Sequence, residues 1–397
     1  MKIIKLYTST LNNDIYLDEY TNILMFGKDK RFIVAPVKLG PYRKKYPLLF
    51  HVFYPILLIL TPLNLIFFNT IIIVRLLFIL LISNNKISFP KNIILLTDPA
   101  ILKTENRLHL FNSFNILLKP FDKFENTSQK DIAIHSLSFL TLKILLTSYF
   151  FSILSPFFIV ANYNFRNILY SLNSFEWFLL FMILEENLNV DSNIVISNQK
   201  DRWALLIDYL SKGNKSIVQH GTNIIKMKNT SIERFLIYMS EYETWALNIP
   251  LKYKTINKLY AFNKIEGDHV VAGEFDKKID VDYIGYNIII NHFKREKLLV
   301  LLIGNINVYY DIEKFIIDNI NFNLFEVVIK PHPLSQKENY NFLNNSTKII
   351  NCNPDADLII SYESTLAHEY ESLGYNVYYY HDIQSAKNIL EIINYIK

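Results

Sequence analysis

The stretches FEVVIKPHPLSQ at residues 325–336 and DADLIISYESTLAHEYESLG at residues 355–374 share one grammar. In each, a short apolar run suited to a buried parallel strand, Glu326–Ile329 and then Leu358–Ile360, gives way at once to small, polar or ring-bearing residues. In open α/β sheets ligands bind beyond the carboxyl ends of the strands, so the residues following these runs matter most. The first run delivers Lys330 and His332, with Pro331 and Pro333 stiffening the backbone on either side of the imidazole. The second delivers Ser361, then Ser364 and Thr365 where a helix is expected to begin. Hydroxyls, backbone N–H groups and the positive end of a helix dipole then face one point, which is an anion site suited to phosphate.

The order KPHP, a strand, S-x-x-S-T-x-x-x-E and a glycine resembles the nucleotide-binding half of GT-B glycosyltransferases of bacterial surface-polymer synthesis, including the polysialyltransferase-like and CDP-glycerol glycerophosphotransferase-like families. Those families carry a second motif in their other domain, and SIVQHGTN at residues 216–223 is the candidate here. The resemblance covers roughly residues 190 to 380; the KPHP and SxxST pair is moderately specific and HGT alone is weak. It implies two Rossmann-like α/β domains facing a cleft and a metal-independent, inverting transfer. Lys330 and His332 would then hold the donor phosphates and stabilise charge on the leaving nucleotide. Ser361, Ser364, Thr365 and Gly304 would complete the donor site, and Glu369 would bond the ribose. Glu371, two residues on, points to roughly the opposite face of a helix turning once per about 3.6 residues. His220 would be the base that takes the acceptor proton, suited to it by an ordinary pKa of about 6.5. Gly221 and Thr222 would lie on the acceptor side, with Gly221 allowing close approach. Sialyltransferase-type relatives carry an acidic triplet ending in glycine at the comparable place; Gln219-His220-Gly221 stands here instead, which favours a polyol-phosphate transferase over a sialic-acid donor.

At 397 residues the chain has room for two domains. The expected division is 1–273, the acceptor side with an apolar helical insertion at about 47–82, and 283–397, the donor-binding side, joined through the polar run Glu274–Asp282. Hydrophobic residues make up 51%, aromatics 15% and charged residues only 20%, more apolar than a soluble core requires. An AT-rich genome also enriches Ile, Asn, Lys, Phe and Tyr. The net charge of +4 suits anionic headgroups or nucleotides. Cys352 is the only cysteine, so no disulfide framework and no thiolate cluster can form, and a cytosolic compartment is expected. The opening MKIIKLYTST lacks the apolar core of a signal peptide and reads as a short strand.

Residues 47–82 are almost wholly apolar and follow the basic cluster Arg43-Lys44-Lys45. Three readings compete: a spanning helix, interrupted by Pro55, Pro62, Asn64, Asn69 and Arg75; a hairpin of two short helices in the membrane interface; or buried core helices. A second helical stretch at 131–187 is broken at Pro156 and reads as core. Strand and helix patterns then alternate at βαβ spacing, with strands at Lys91–Asp98, Asn193–Ser197, Ser216–Val218, Phe235–Met239, Val270–Gly273 and Lys297–Ile303.

Two DxD triplets, Asp280–Asp282 and Asp355–Asp357, resemble GT-A metal sites, yet one lies in the expected connection and the other precedes its strand. The nine histidines show no zinc spacing, no Walker A or GxGxxG sequence occurs, and basic residues are scattered, which argues against metal, ATPase, dinucleotide and nucleic-acid functions. The sequence thus predicts a glycosyltransferase of capsule or lipopolysaccharide type, peripheral on the cytoplasmic face of a bacterial inner membrane. It would use a CMP, CDP or UDP type nucleotide-activated donor as substrate, no cofactor, and a lipid-linked or oligosaccharide acceptor. A nucleotide-sugar 2-epimerase of the same architecture and a non-catalytic membrane scaffold are the alternatives; membrane partition separates the first and nucleotide binding the second.

Overall fold

The computed structural model describes residues 2–26, 36, 39–82, 88–96, 113–122, 133–197, 199–219, 221, 224–225, 232–286, 288–304, 310–332, 340–343, 346–362 and 364–395. His220, Thr222 and Pro333 lie outside the described residues. The chain falls into two compact units, Met1–Ile284 and Gly285–Lys397.

The first unit runs α1 (Lys2–Phe26), α2 (Gly40–Lys45), α3 (Pro47–Ile82), β1 (Asn92–Leu96), β2 (Asn115–Leu118), β3 (Ala133–His135), α4 (Leu142–Asn162), a 3-10 segment (Phe165–Asn173), α5 (Ser174–Asn187), β4 (Asn193–Ile196), α6 (Arg202–Tyr209) and β5 (Asn214–Val218). It continues with β6 (Leu236–Met239), β7 (Thr244–Leu247), β8 (Lys258–Ala261), α7 (Lys264–Glu274) and β9 (Asp280–Tyr283). Seven strands make one parallel sheet in the order β3-β2-β1-β4-β5-β8-β9, and β6 and β7 form a separate antiparallel hairpin. Strand order reverses between β1 and β4, the Rossmann pattern. Continuous apolar runs such as NIILL and NIVI suit parallel strands covered on both faces. Ile93, Leu95, Ile194, Ile196 and Ile217 face the helical core, while Ile94, Val195 and Val218 form a smaller cluster.

Several local expectations are corrected. The opening residues form a 25-residue helix rather than a strand. Ile4, Tyr7 and Leu11, at helical spacing, are fully buried, and the Tyr7 hydroxyl donates to Tyr170 O at 2.6 Å. Residues 47–82 form one continuous 36-residue helix, not a hairpin. Pro55 and Pro62 each cost a backbone hydrogen bond. Against that cost, Phe50, Tyr54, Leu58, Leu65, Ile73 and Leu76 bury a stripe at steps of three, four, seven or eight residues along the helix. Asn69 interrupts the apolar run because it is a tie: its amide donates to Ser152 Oγ of α4 at 3.1 Å. Likewise α4 passes through Pro156 without a break. The stretch Val270–Gly273 lies inside α7, which Asn263 caps by accepting from Glu266 N at 2.9 Å. The expected connection ends in an edge strand, since Asp280–Tyr283 pairs with β8.

Gly273 sets how closely α7 approaches the hairpin, for a Cβ built there would lie 2.1 Å from Leu247 O. Alanine gains roughly 1 kcal/mol over glycine in a helix, but forcing that overlap on a backbone atom costs about 3 kcal/mol. Gly273→Ala is therefore expected to lower the urea midpoint of the protein. A parental midpoint would show that helix and hairpin move apart freely.

The second unit runs β10 (Leu298–Ile303), α8 (Tyr310–Asn319), β11 (Phe325–Lys330), β12 (Thr347–Ile349), β13 (Leu358–Ser361), α9 (Thr365–Ser372), β14 (Val377–Tyr379) and α10 (Ile383–Asn394). Its sheet is parallel in the order β12-β11-β10-β13-β14, again reversing beside the first strand. Apolar clusters cover both faces. The chain thus forms two Rossmann-like α/β units, the pair that the GT-B resemblance implies, with an apolar helix inserted in the first.

Candidate functional site

In the second unit the strand reversal lies between β10 and β13, where open α/β sheets leave a crevice for ligands. Register brings the sequence motifs to it. Ile303 pairs with Lys330 on one side and Ser361 on the other, so the three strands end at one level. Gly304, Pro331-His332 and Tyr362 therefore leave the sheet side by side, and Gly304 N donates to Lys330 O at 2.9 Å.

Ser364 caps α9, its hydroxyl accepting from Ala367 N at 3.2 Å. Ser361, fully buried, places its hydroxyl 3.1 Å from that of Ser364 and donates to Tyr362 O. Thr365 opens the first turn of α9. Two hydroxyls and the N-terminal end of a helix so occupy one corner of the sheet edge, which suits an anion. His332 is half-buried just beyond β11, and burial pulls its imidazole below the usual histidine range. A neutral ring is expected there at neutral pH, able to take up a proton as phosphate arrives.

Lys330 is braced from behind. Its ammonium donates to Asn353 Oδ1 at 2.5 Å and Asn351 O at 3.1 Å. Burial lowers its pKa, and the neighbouring Cys352 and Glu369 side chains act against that lowering. Lys330 thus holds the segment beside β12 and places positive charge near Glu369. The two glutamates of α9 separate as their spacing predicts. Glu371 accepts from the Tyr379 hydroxyl at 2.9 Å and lies 3.3 Å from His368 Nδ1, whereas the charge of Glu369 is felt at Lys330. Gly304 has a reason that the sequence hides: a Cβ there would lie 2.2 Å from the hydroxyl of buried Tyr340. Tyr340 carries no motif that could have announced it.

The DxD at Asp355–Asp357 is occupied with the fold. Asp355 bonds His292 at 2.8 Å and Tyr375 at 3.0 Å, and Asp357 bonds Arg295 at 3.0 Å and Leu299 N at 2.7 Å. Asp282 of the other triplet pairs with Lys258 at 2.6 Å along the edge strand.

In the first unit the candidate motif follows β5. Gln219 is fully buried and donates from its side-chain amide to Gly221 O at 2.8 Å and to Glu266 Oε2 at 2.7 Å. Its carbonyl accepts from Phe262 N at 3.1 Å. The carbonyl of Gly221 is thus held by a buried side chain. Neither Gln219 nor Glu266 stands out in sequence as a site residue; the only signal is the N-x-x-E cap pattern at Asn263–Glu266.

No family model matches the chain and no curated protein matches it. Among solved structures it is similar to the wall teichoic acid polymerase TagF with CDPG, at 11% identity and TM-score 0.36 over 79% of this chain and 78% of that one. It is also similar to TarM of S. aureus, at 12% identity and TM-score 0.31 over 55% of this chain and 52% of that one. The calicheamicin glycosyltransferase CalG4 matches at 11% identity and TM-score 0.39 over 76% of this chain and 83% of that one.

Proposed function

We propose that the chain is a glycosyltransferase that moves a sugar or polyol phosphate from a nucleotide-activated donor to a growing bacterial surface glycan. The observation carrying this reading is the convergence of Gly304, His332 and the Ser361–Ser364 hydroxyl pair at the strand reversal of a Rossmann-like unit. The donor phosphates lie at the start of α9, where backbone N–H groups and hydroxyls receive them without a metal. His332 bonds the leaving phosphate and gains charge as the donor bond breaks. Glu369 accepts from the ribose. His220 takes the proton of the acceptor hydroxyl, and single displacement inverts the transferred centre. Thermal-shift screening against CMP, CDP, UDP and GDP tests the reading: at least one nucleotide raises the midpoint. A protein indifferent to all four is not a nucleotide-dependent transferase.

The acceptor in this reading is lipid-linked, and α3 is the support for it. Three stretches, Pro47–Leu81, Leu142–Asn162 and Phe165–Asn187, are long and apolar enough to cross a membrane by length and composition among the described residues. The first has only 22% of its most apolar window buried. Its other face exposes Leu48, Leu63, Phe67, Phe68, Phe78 and Leu81, and Lys45 stands exposed at its start. A helix buried along one stripe and apolar along the other suits the bilayer interface, with the basic cluster on anionic headgroups at the cytoplasmic face. Replacing Arg43, Lys44 and Lys45 with Gln is expected to weaken flotation with anionic vesicles by about 1 kcal/mol per charge. Phe67→Ser with Phe68→Ser releases the protein further; Leu77 is left alone because it packs against the core. Indifference of the parent protein to vesicles would remove the argument for a lipid-linked acceptor.

A further inference from the structure

We infer that Gln219 and Glu266 are positioning residues, a buried amide–carboxylate pair that holds the turn after β5 in register for the acceptor's proton transfer. The inference rests on the reading of that turn as the acceptor side. Both side chains are fully buried, Gln219 next to the end of β5 and Glu266 in the first turn of α7. Burying an amide and a carboxylate costs free energy that a pair of apolar side chains would avoid, so core filling does not explain them.

Their bonds point to main chain. Gln219 N donates to Tyr260 O at 2.9 Å, which continues the β5 ladder one residue past the strand. One amide hydrogen goes to Gly221 O at 2.8 Å, the other to Glu266 Oε2 at 2.7 Å, and the carbonyl takes Phe262 N at 3.1 Å. Every donor and acceptor of the amide is therefore used, and turning the group over would set its carbonyl against two other oxygens. The carboxylate acts as a lock that orients the amide. The Asn263 cap fixes its backbone, Glu266 N donating to Asn263 Oδ1 at 2.9 Å. What the lock secures is the carbonyl of Gly221, two residues beyond Gln219 along the turn.

An exchange of the two side chains separates positioning from structure. In Gln219→Glu with Glu266→Gln, the carboxylate and amide still bond each other and Phe262 N still has an acceptor, but Gly221 O loses its donor. Nucleotide release is followed with the best-used compound of a panel of CMP-, UDP- and GDP-sugars and CDP-polyols. The exchange is expected to keep a near-parental thermal midpoint and donor KM while kcat falls by roughly tenfold to a hundredfold, the scale of an ångström-size misplacement. Glu266→Gln alone leaves the Gly221 contact in place but makes the lock an amide that can itself turn over, so its kcat falls by less than that of the exchange. Parental kcat in the exchange variant, or an equal loss in Glu266→Gln, overturns the inference. Should the exchange unfold, Gln219→Met, of similar length and lacking the donor, carries the same two outcomes. His220→Ala measured alongside separates the premises: full activity there removes the reading of the turn, whereas a loss there with a fully active exchange variant removes only the positioning role.

Discussion

His332→Ala lowers transfer from a nucleotide-activated donor by about 10²-fold or more, the scale of one lost charge-stabilising contact, and leaves the second unit folded. The fold is spared because His332 stands beyond the last residue of β11 and belongs to neither apolar cluster of that unit. The chemistry is not spared, because the imidazole leaves the sheet at the end of β11, beside Gly304 at the end of β10 and across it from the Ser361–Ser364 corner. Burial holds its pKa below the usual histidine range in the ligand-free protein. An arriving phosphate favours the charged form, so donor binding draws in a proton and affinity rises as pH falls. Kinetics and circular dichroism on one preparation check the prediction; near-parental activity in the variant would remove His332 from the site.

His220→Ala gives the second large effect, a fall in kcat of about 10² to 10⁴, the range for losing a general base. Nucleotide affinity is expected to stay close to the parent's, because the proposed donor groups belong to the second unit and His220 to the first. Equilibrium titration of the variant with the nucleotide that stabilises the parent is the check. Parallel loss of affinity would put His220 in the donor site or in the fold.

Much of the second unit was legible because its signals are local. The runs ending in KPHP and SYEST are short, β-branched and flanked by Pro and Ser, and they form β11 and β13 with Ser364 as the cap. Elsewhere the deciding partner lay far along the chain. Opening residues that read as a strand are a helix because Tyr7 meets Tyr170, 163 positions away, and Asp14 pairs with Arg202. The two prolines of α3 read as breaks, yet contacts with the 3-10 segment and α4 hold the helix straight through them. Val270-Val271 looked like a strand, and only the Asn263 cap with the packing of α7 on the hairpin decides for helix. Glu266 was hidden for the same reason, since the amide it orients is 47 residues earlier.

In the proposed reading, the carboxyl edge of the second sheet binds nucleotide phosphate through His332 and the start of α9. Calorimetric titration of CDP and UDP into the parent and into His332→Ala, at pH 6 and pH 8, tests it most directly. Ionisation of the nucleotide is common to both proteins, so the difference between them isolates the histidine. The parent is expected to bind at least one of the two more tightly at pH 6, and the variant to bind more weakly with that pH dependence removed. Equal affinity and equal pH dependence in the two proteins, or no binding of either nucleotide by the parent, would contradict it.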